Sequence, residues 1–115
     1  MARKRIGLHP AAADAVRVLG QQVRLARRAK NWTAADLAAA TGVSPRTISS
    51  IETGSSAVSI GNVLNVAAIA GVPLFGVDDP AELTRMRLRG EERIALIPTR
   101  VRHPAPEEDD DGLDF

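Results

Sequence analysis

The stretch GVSPRTISSIETG, residues 42–54, places hydroxyl side chains and one guanidinium group where the flanking pattern predicts a helix. The guanidinium of Arg46 is a planar fork of N–H donors that matches two neighbouring acceptors, such as O6 and N7 of guanine. Short hydroxyl side chains extend only a little from the helix, so that the helix axis can approach a large partner closely. The chemistry predicted for this stretch is hydrogen bonding to a surface rich in acceptors.

The signals around this stretch predict two short helices. Thr33 followed by Asp36 approximates a capping box, which starts a helix over about 34–40. Gly42 then ends that helix, and Ser44 caps a second helix that has proline at its first position. The second helix is expected to reach about Thr53. Two short helices joined by a tight glycine turn form a helix-turn-helix pattern.

The apolar residues of this pattern are predicted to meet in a small core. These are Leu37, Ala38, Val43, Ile48 and Ile51. The remaining side chains of the second helix then point outward or partly outward, namely Arg46, Thr47, Ser50 and Thr53. Free N–H groups at the start of this helix, together with Ser44, are suited to holding a phosphate.

Three further helices flank the pattern. The first starts near Pro10 and runs to about Lys30, with an apolar stripe at Val16, Leu19, Val23 and Ala26. The fourth covers about Ile60–Ala70, with Val63, Leu64, Ala67 and Ala68 predicted to face inward.

A fifth helix opens at Asp79-Pro80 and is predicted to end around Pro98. Its apolar residues trace a near-heptad seam: Leu83, Met86, Gly90, Ile94 and Ile97. One helix cannot bury such a seam alone. The seam packs either on the rest of the domain or on a second copy of the chain, and dimerisation is the favoured alternative.

Residues 19–75, which hold the first four predicted helices in large part, resemble the lambda-repressor-like (XRE-type) helix-turn-helix family. The resemblance is carried by LGQQVRLARRAKNWTAADLAAATGVSPRTISSIETG and SIGNVLNVAAIAGVPLF, and most specifically by TGVSPRTISSIETG. It implies an all-α, five-helix domain that binds double-stranded DNA as a two-fold homodimer on a palindromic operator and acts as a transcriptional repressor. The predicted organisation is a flexible basic arm (1–9), the DNA-binding domain (10–78), a C-terminal helix (79–98), and a linker with an acidic tail (99–115).

The resemblance also implies roles for individual residues. Pro45, Arg46 and Ser50 occupy base-reading positions, and Ser44 and Thr47 occupy positions that contact bases or backbone. Thr53 joins them on the outward face. The loop residues Ser55, Ser56 and Ala57 lie where backbone phosphates are often held. Glu52 lies where family members bury an acid against an arginine, here Arg27.

Two departures from the family pattern affect the predicted phosphate contacts. The helix over about 34–40 starts with Ala34 where many members have glutamine, and the loop after the helix that ends near Thr53 lacks basic residues. Phosphate contacts must therefore come from other cations, and the candidates are Arg3, Lys4, Arg5, Arg24 and Arg28. Fewer such contacts lower the affinity and flatten its dependence on salt.

Charge is separated along the chain. Residues 104–115 contain six acidic and no basic residues, which leaves fifteen basic and eight acidic residues in 1–103. This tail has three interpretations: a solubilising segment, a competitor of DNA for the basic body, or a partner-binding segment. The third comes from a resemblance to HipB-type antitoxins, in which Asp114 and Phe115 would dock on a HipA-like kinase toxin.

Other chemistry finds little support in the sequence. The chain has no cysteine and two isolated histidines, His9 and His103, so a standard zinc site is not expected. No phosphate-binding glycine loop and no membrane-length apolar run occur. We expect a cytoplasmic protein that is not an enzyme and needs no cofactor. Trp32 and Phe75 are predicted to be packing residues.

Overall fold

The computed structural model of the protein describes residues 7–100, and within this range it contains five helices and no strand. The helices are α1 (Pro10–Ala29), α2 (Ala34–Thr41), α3 (Pro45–Glu52), α4 (Ile60–Ala70) and α5 (Pro80–Ala95). One isolated bridge pairs Leu74 with Val77. The prediction of an all-α fold with five helices is confirmed.

Local capping explains where α2 and α3 begin and end. The backbone N–H of Asp36 donates to Oγ1 of Thr33 at 3.0 Å, and the N–H of Thr33 donates to Oδ2 of Asp36 at 2.8 Å. Gly42 ends α2 in the left-handed conformation, at φ 81°. Oγ of Ser44 then accepts from the N–H of Thr47 at 3.1 Å and opens α3. The predicted caps are confirmed.

The core lies where α1 and α2 pack against α3 and α4. Its largest fully buried side chains are Leu37, Ile48, Val23 and Val66. The core predicted for the helix-turn-helix is confirmed, since Ala38 and Ile51 are also buried and Val43 packs against the cluster. Burying such aliphatic side chains is the main force that holds helices of eight residues in place.

Two apolar residues lie elsewhere than predicted. Ala68 is exposed, and Val66 is buried in its place. The sequence of α4 is apolar on more than one face, so spacing alone does not decide which side packs. Phe75 is 74% exposed and has a positive φ of 54° in the turn after α4, whereas Trp32 packs on the core as predicted.

The chain divides into two compact units after Pro80, and α5 belongs almost entirely to the second. An ion pair between Arg87 and Glu91, at 2.8 Å, supports this helix on its exposed surface. The helix ends at Ala95, short of the predicted end, because Pro98 disfavours helical geometry in the residue before it. The basic segment 1–6 and residues 101–115 lie outside the described residues. Among the helices found in residues 7–100, none has the length and apolarity needed to cross a bilayer.

Candidate nucleic-acid interface

The position of α3 is fixed by a close contact with α1 at Gly20. A methyl group on Gly20 would lie 2.3 Å from the carbonyl oxygen of Ile51 and 3.0 Å from that of Glu52. The two backbones therefore touch without an intervening side chain. This contact holds the C-terminal end of α3 against the middle of α1 and leaves the opposite side of α3 uncovered.

A buried ion pair ties the same end of α3 to α1. Nε of Arg27 donates to Oε2 of Glu52 at 2.7 Å, and Nη2 donates to Oε1 at 3.0 Å. Nη1 of Arg27 donates to the carbonyl of Trp32 at 2.8 Å, which links the pair to the turn before α2. The hydrogen bond to Glu52 raises the pKa of Arg27 above its ordinary value, although burial opposes this. The pair predicted from the family resemblance is confirmed, and its role is structural.

The uncovered face of α3 is polar. Pro45, Arg46, Ser49 and Thr53 are exposed along it, while Ile48 and Ile51 point into the core. The guanidinium of Arg46 forms no ion pair within residues 7–100. It is therefore free to act as a bidentate donor to a ligand.

Other predicted residues of α3 lie at the edges of this face. Thr47 and Ser50 are half-buried, whereas Ser49 is exposed and was not predicted. Ser49 follows Arg46 by three residues, so helical spacing alone places the two on one face. That spacing is the signal by which the sequence could have identified Ser49.

Several hydroxyl groups at this surface already have partners in the protein. Oγ of Ser44 lies 3.0 Å from Oγ1 of Thr47, in addition to its capping bond. The hydroxyl of Thr53 donates to the carbonyl of Ser49 at 2.9 Å. Oγ of Ser55, in the loop after α3, accepts from the N–H of Ala57 at 3.2 Å. These hydroxyl groups stabilise the local backbone, and their oxygens retain lone pairs that can accept further hydrogen bonds.

The remaining predicted contacts do not lie on α3. Arg28 is exposed in the last turn of α1, and Arg24 is exposed one turn earlier. The arm residues lie in the segment before residue 7, and Asp114 and Phe115 lie in the tail after residue 100. Both segments are outside the described residues.

The fold agrees with a comparison to protein families. Residues 23–77 match the family HTH_3, described as helix-turn-helix. Among curated proteins, none matches the chain. The match covers α2, α3 and α4 whole, together with the end of α1 that carries the Arg27 pair. Residues 23–77 are thus similar to a family of helix-turn-helix domains, and the five helices have the lambda-repressor-like fold predicted from the sequence.

Proposed function

We propose that the protein is a sequence-specific repressor that reads DNA with the exposed face of α3. The observation that supports this proposal is the division of α3 into a buried apolar side and an uncovered polar side, on which Arg46 has no ion pair to any residue of the described range 7–100. A helix of eight residues is about 12 Å long, comparable to the width of the major groove. Because the other exposed side chains on its polar side are short, α3 can lie deep enough for Arg46 to reach a guanine.

The proposed active form is a homodimer on a palindromic operator. Two copies would place their α3 helices in successive major grooves, about 34 Å apart, so that each reads one half-site. The apolar residues of α5 support this proposal, since Met86 and Ile94 are exposed and lie on the near-heptad seam predicted from the sequence. Repression then follows from occupation of promoter DNA.

The proposal is tested by selecting duplexes from a random-sequence pool with the full-length protein. The expected result is enrichment of a palindromic motif with a G·C pair in each half-site. Arg46→Ala should lose about 1–3 kcal/mol of discrimination at that pair. Arg85→Ala, on α5, is the matched control and should retain the motif, since Arg85 already pairs with Glu82. Failure of the wild-type protein to enrich any motif would contradict the proposal.

We also propose, as a second function, that the protein is an antitoxin that sequesters a HipA-like kinase through its C-terminal segment. The charge separation supports it, because residues 104–115 contain six acids and end in Asp114-Phe115. An aromatic residue next to a carboxylate is suited to a pocket on a partner. Capture of a kinase from nuclease-treated lysate by the full chain, but not by a chain ending at His103, is the expected result. Equal capture by both baits would contradict this role for the tail.

A further inference from the structure

The glycine turn that ends α3 leaves space for the side chain of Arg17 on α1. Gly54, which follows α3, has a φ of 84°, and a Cβ atom there would lie 2.7 Å from Cγ of Arg17 and 3.2 Å from its Cα. The stem of Arg17 therefore lies against the turn that ends α3, in space that any other residue at position 54 would need. Arg17 is exposed and has no ion pair among the described residues.

Arg17 belongs to a stripe of three exposed arginines on α1, which we call the arginine stripe: Arg17, Arg24 and Arg28. Their spacing of seven and four residues keeps the three Cα positions within about 40° around the helix. The stripe runs beside the line where α1 meets α3, because Gly20 and Arg27 on the adjacent face contact Ile51 and Glu52.

The arginine stripe adds positive charge where the loop after α3 has none. Residues 55–58 are Ser-Ser-Ala-Val, so the loop offers hydroxyl and backbone groups but no cation. Arg17 lies beside Gly54, the residue that immediately precedes this loop. A DNA strand that passes the C-terminal end of α3 would meet Ser55 and Arg17 together.

We propose that Arg17 binds a DNA backbone phosphate at the C-terminal end of α3, and that the rest of the arginine stripe extends this contact along the strand. The inference rests on the proposed DNA-binding function and assigns a residue that the sequence did not indicate. Arg46 lies near the N-terminal end of α3, about 10 Å along the helix axis from the C-terminal end that Arg17 contacts. Arg46 would therefore read a base while Arg17 fixes the register of the helix on the backbone.

A purely structural role for Arg17 makes a different prediction. A cation near the C-terminus of a helix stabilises that helix through its dipole, and the stem of Arg17 packs on Gly54. Loss of the charge would then lower the midpoint of thermal unfolding but leave the salt dependence of DNA binding unchanged. The two roles are separated by measuring both quantities on the same variants.

The test compares Arg17→Met with the wild-type full-length protein on a mixed-sequence duplex and on the selected operator, from 50 to 200 mM salt. Arg17→Met keeps a stem that can pack on Gly54 and removes the charge. Arg85→Met is the matched control, because it removes the same charge from an exposed arginine on α5. Arg17→Gln is a second neutral variant should the methionine variant fail to fold.

The expected result is that Arg17→Met flattens the slope of log K against log salt by about 0.9 on both duplexes. Over this salt range the variant then loses about 3.5-fold less affinity than the wild-type protein. Arg85→Met should keep the wild-type slope. A wild-type slope for Arg17→Met or Arg17→Gln overturns the inference. Absence of DNA binding by the wild-type protein would instead overturn the proposed function, so the two failures are distinguishable.

Discussion

Arg27 and Glu52 are the residues whose removal should harm the fold most, because their charges are paired in a largely buried position. Their side chains are only 11% and 7% exposed. Glu52→Ala leaves the Arg27 guanidinium buried without its carboxylate, and we expect it to lower the free energy of unfolding by about 3–5 kcal/mol. Urea denaturation of the full chain measures this loss.

The matched control for this prediction is Glu91→Ala, which breaks the exposed pair with Arg87. Its side chain is 59% exposed, and surface pairs contribute about 0–1 kcal/mol. The double variant Arg27→Met/Glu52→Leu should recover much of the lost stability, because it replaces the charges with packed apolar groups. Equal losses for Glu52→Ala and Glu91→Ala would show that the buried pair does not anchor α3.

The sequence predicts the structural position of some functional residues but not of others. Arg46 is predictable because its position within a capped helix, with Ile48 and Ile51 inward, leaves it facing out. Arg17 is not, because its place beside α3 depends on the left-handed turn at Gly54 and on the crossing of α1 and α3. These are tertiary features, and no local spacing in the sequence encodes them.

The crossing of α1 and α3 is the element-scale contact that positions the candidate interface. Gly20→Ala would push a methyl group against the carbonyl oxygen of Ile51, 2.3 Å away, and force the helices apart. We expect a loss of about 1–3 kcal/mol in the free energy of unfolding, in the range of overpacked cores. DNA affinity should also fall, since α3 moves relative to the arginine stripe.

Gly61→Ala in the first turn of α4 provides the control, because nothing lies within 4 Å of the added methyl group. Alanine is the better helix former, so this variant should match or exceed the wild-type stability by up to about 1 kcal/mol. Chemical denaturation of both variants measures their free energies of unfolding. If Gly20→Ala were as stable as Gly61→Ala, α1 and α3 would not be in backbone contact.

The seam of α5 carries a prediction about assembly. Met86→Glu places a charge in the seam, and we expect it to dissociate the proposed homodimer while the helix-turn-helix domain stays folded. Leu88→Glu makes the same change on an apolar residue outside the seam, and it should leave the dimer intact; residues Met86 and Leu88 are 36% and 46% exposed. Sedimentation equilibrium gives the mass of each. A monomeric wild-type protein, or equal masses for both variants, would exclude dimerisation through this seam.

At the same scale, helix boundaries follow from the sequence better than helix faces do. The capping groups of Thr33 and Ser44 act on N–H groups within three residues, so the sequence encodes the starts of α2 and α3 locally. Which side of α4 is buried depends on how α4 packs against α1 and α2, so the sequence alone placed Ala68 wrongly in the core. Phe75 was misplaced because its apolar type predicts burial, whereas the left-handed turn directs it outward.

For the whole molecule, the decisive feature is that a formal net charge of +1 conceals a strongly basic body. The fifteen basic residues all precede residue 104, and six of the fourteen acids follow it. Phosphate attraction depends on the field of the whole protein as well as on individual contacts. We therefore expect the tail acids to reduce the attraction between the protein and DNA of any sequence.

Neutralising the six tail acids to their amides raises the formal net charge from +1 to +7 without changing the length of the chain. We expect this variant to bind a mixed-sequence duplex on the order of tenfold more tightly at low salt, with the difference shrinking as the Debye length falls to about 8 Å near 0.15 M. Fluorescence anisotropy over a salt series measures this change in affinity.

A variant with the tail residues shuffled keeps all six charges and should bind as the wild-type protein does. The ratio of operator to mixed-sequence affinity should change little, because the added attraction acts on phosphates that every sequence carries. Equal low-salt affinities for the neutralised and shuffled tails would show that the acids do not oppose DNA binding.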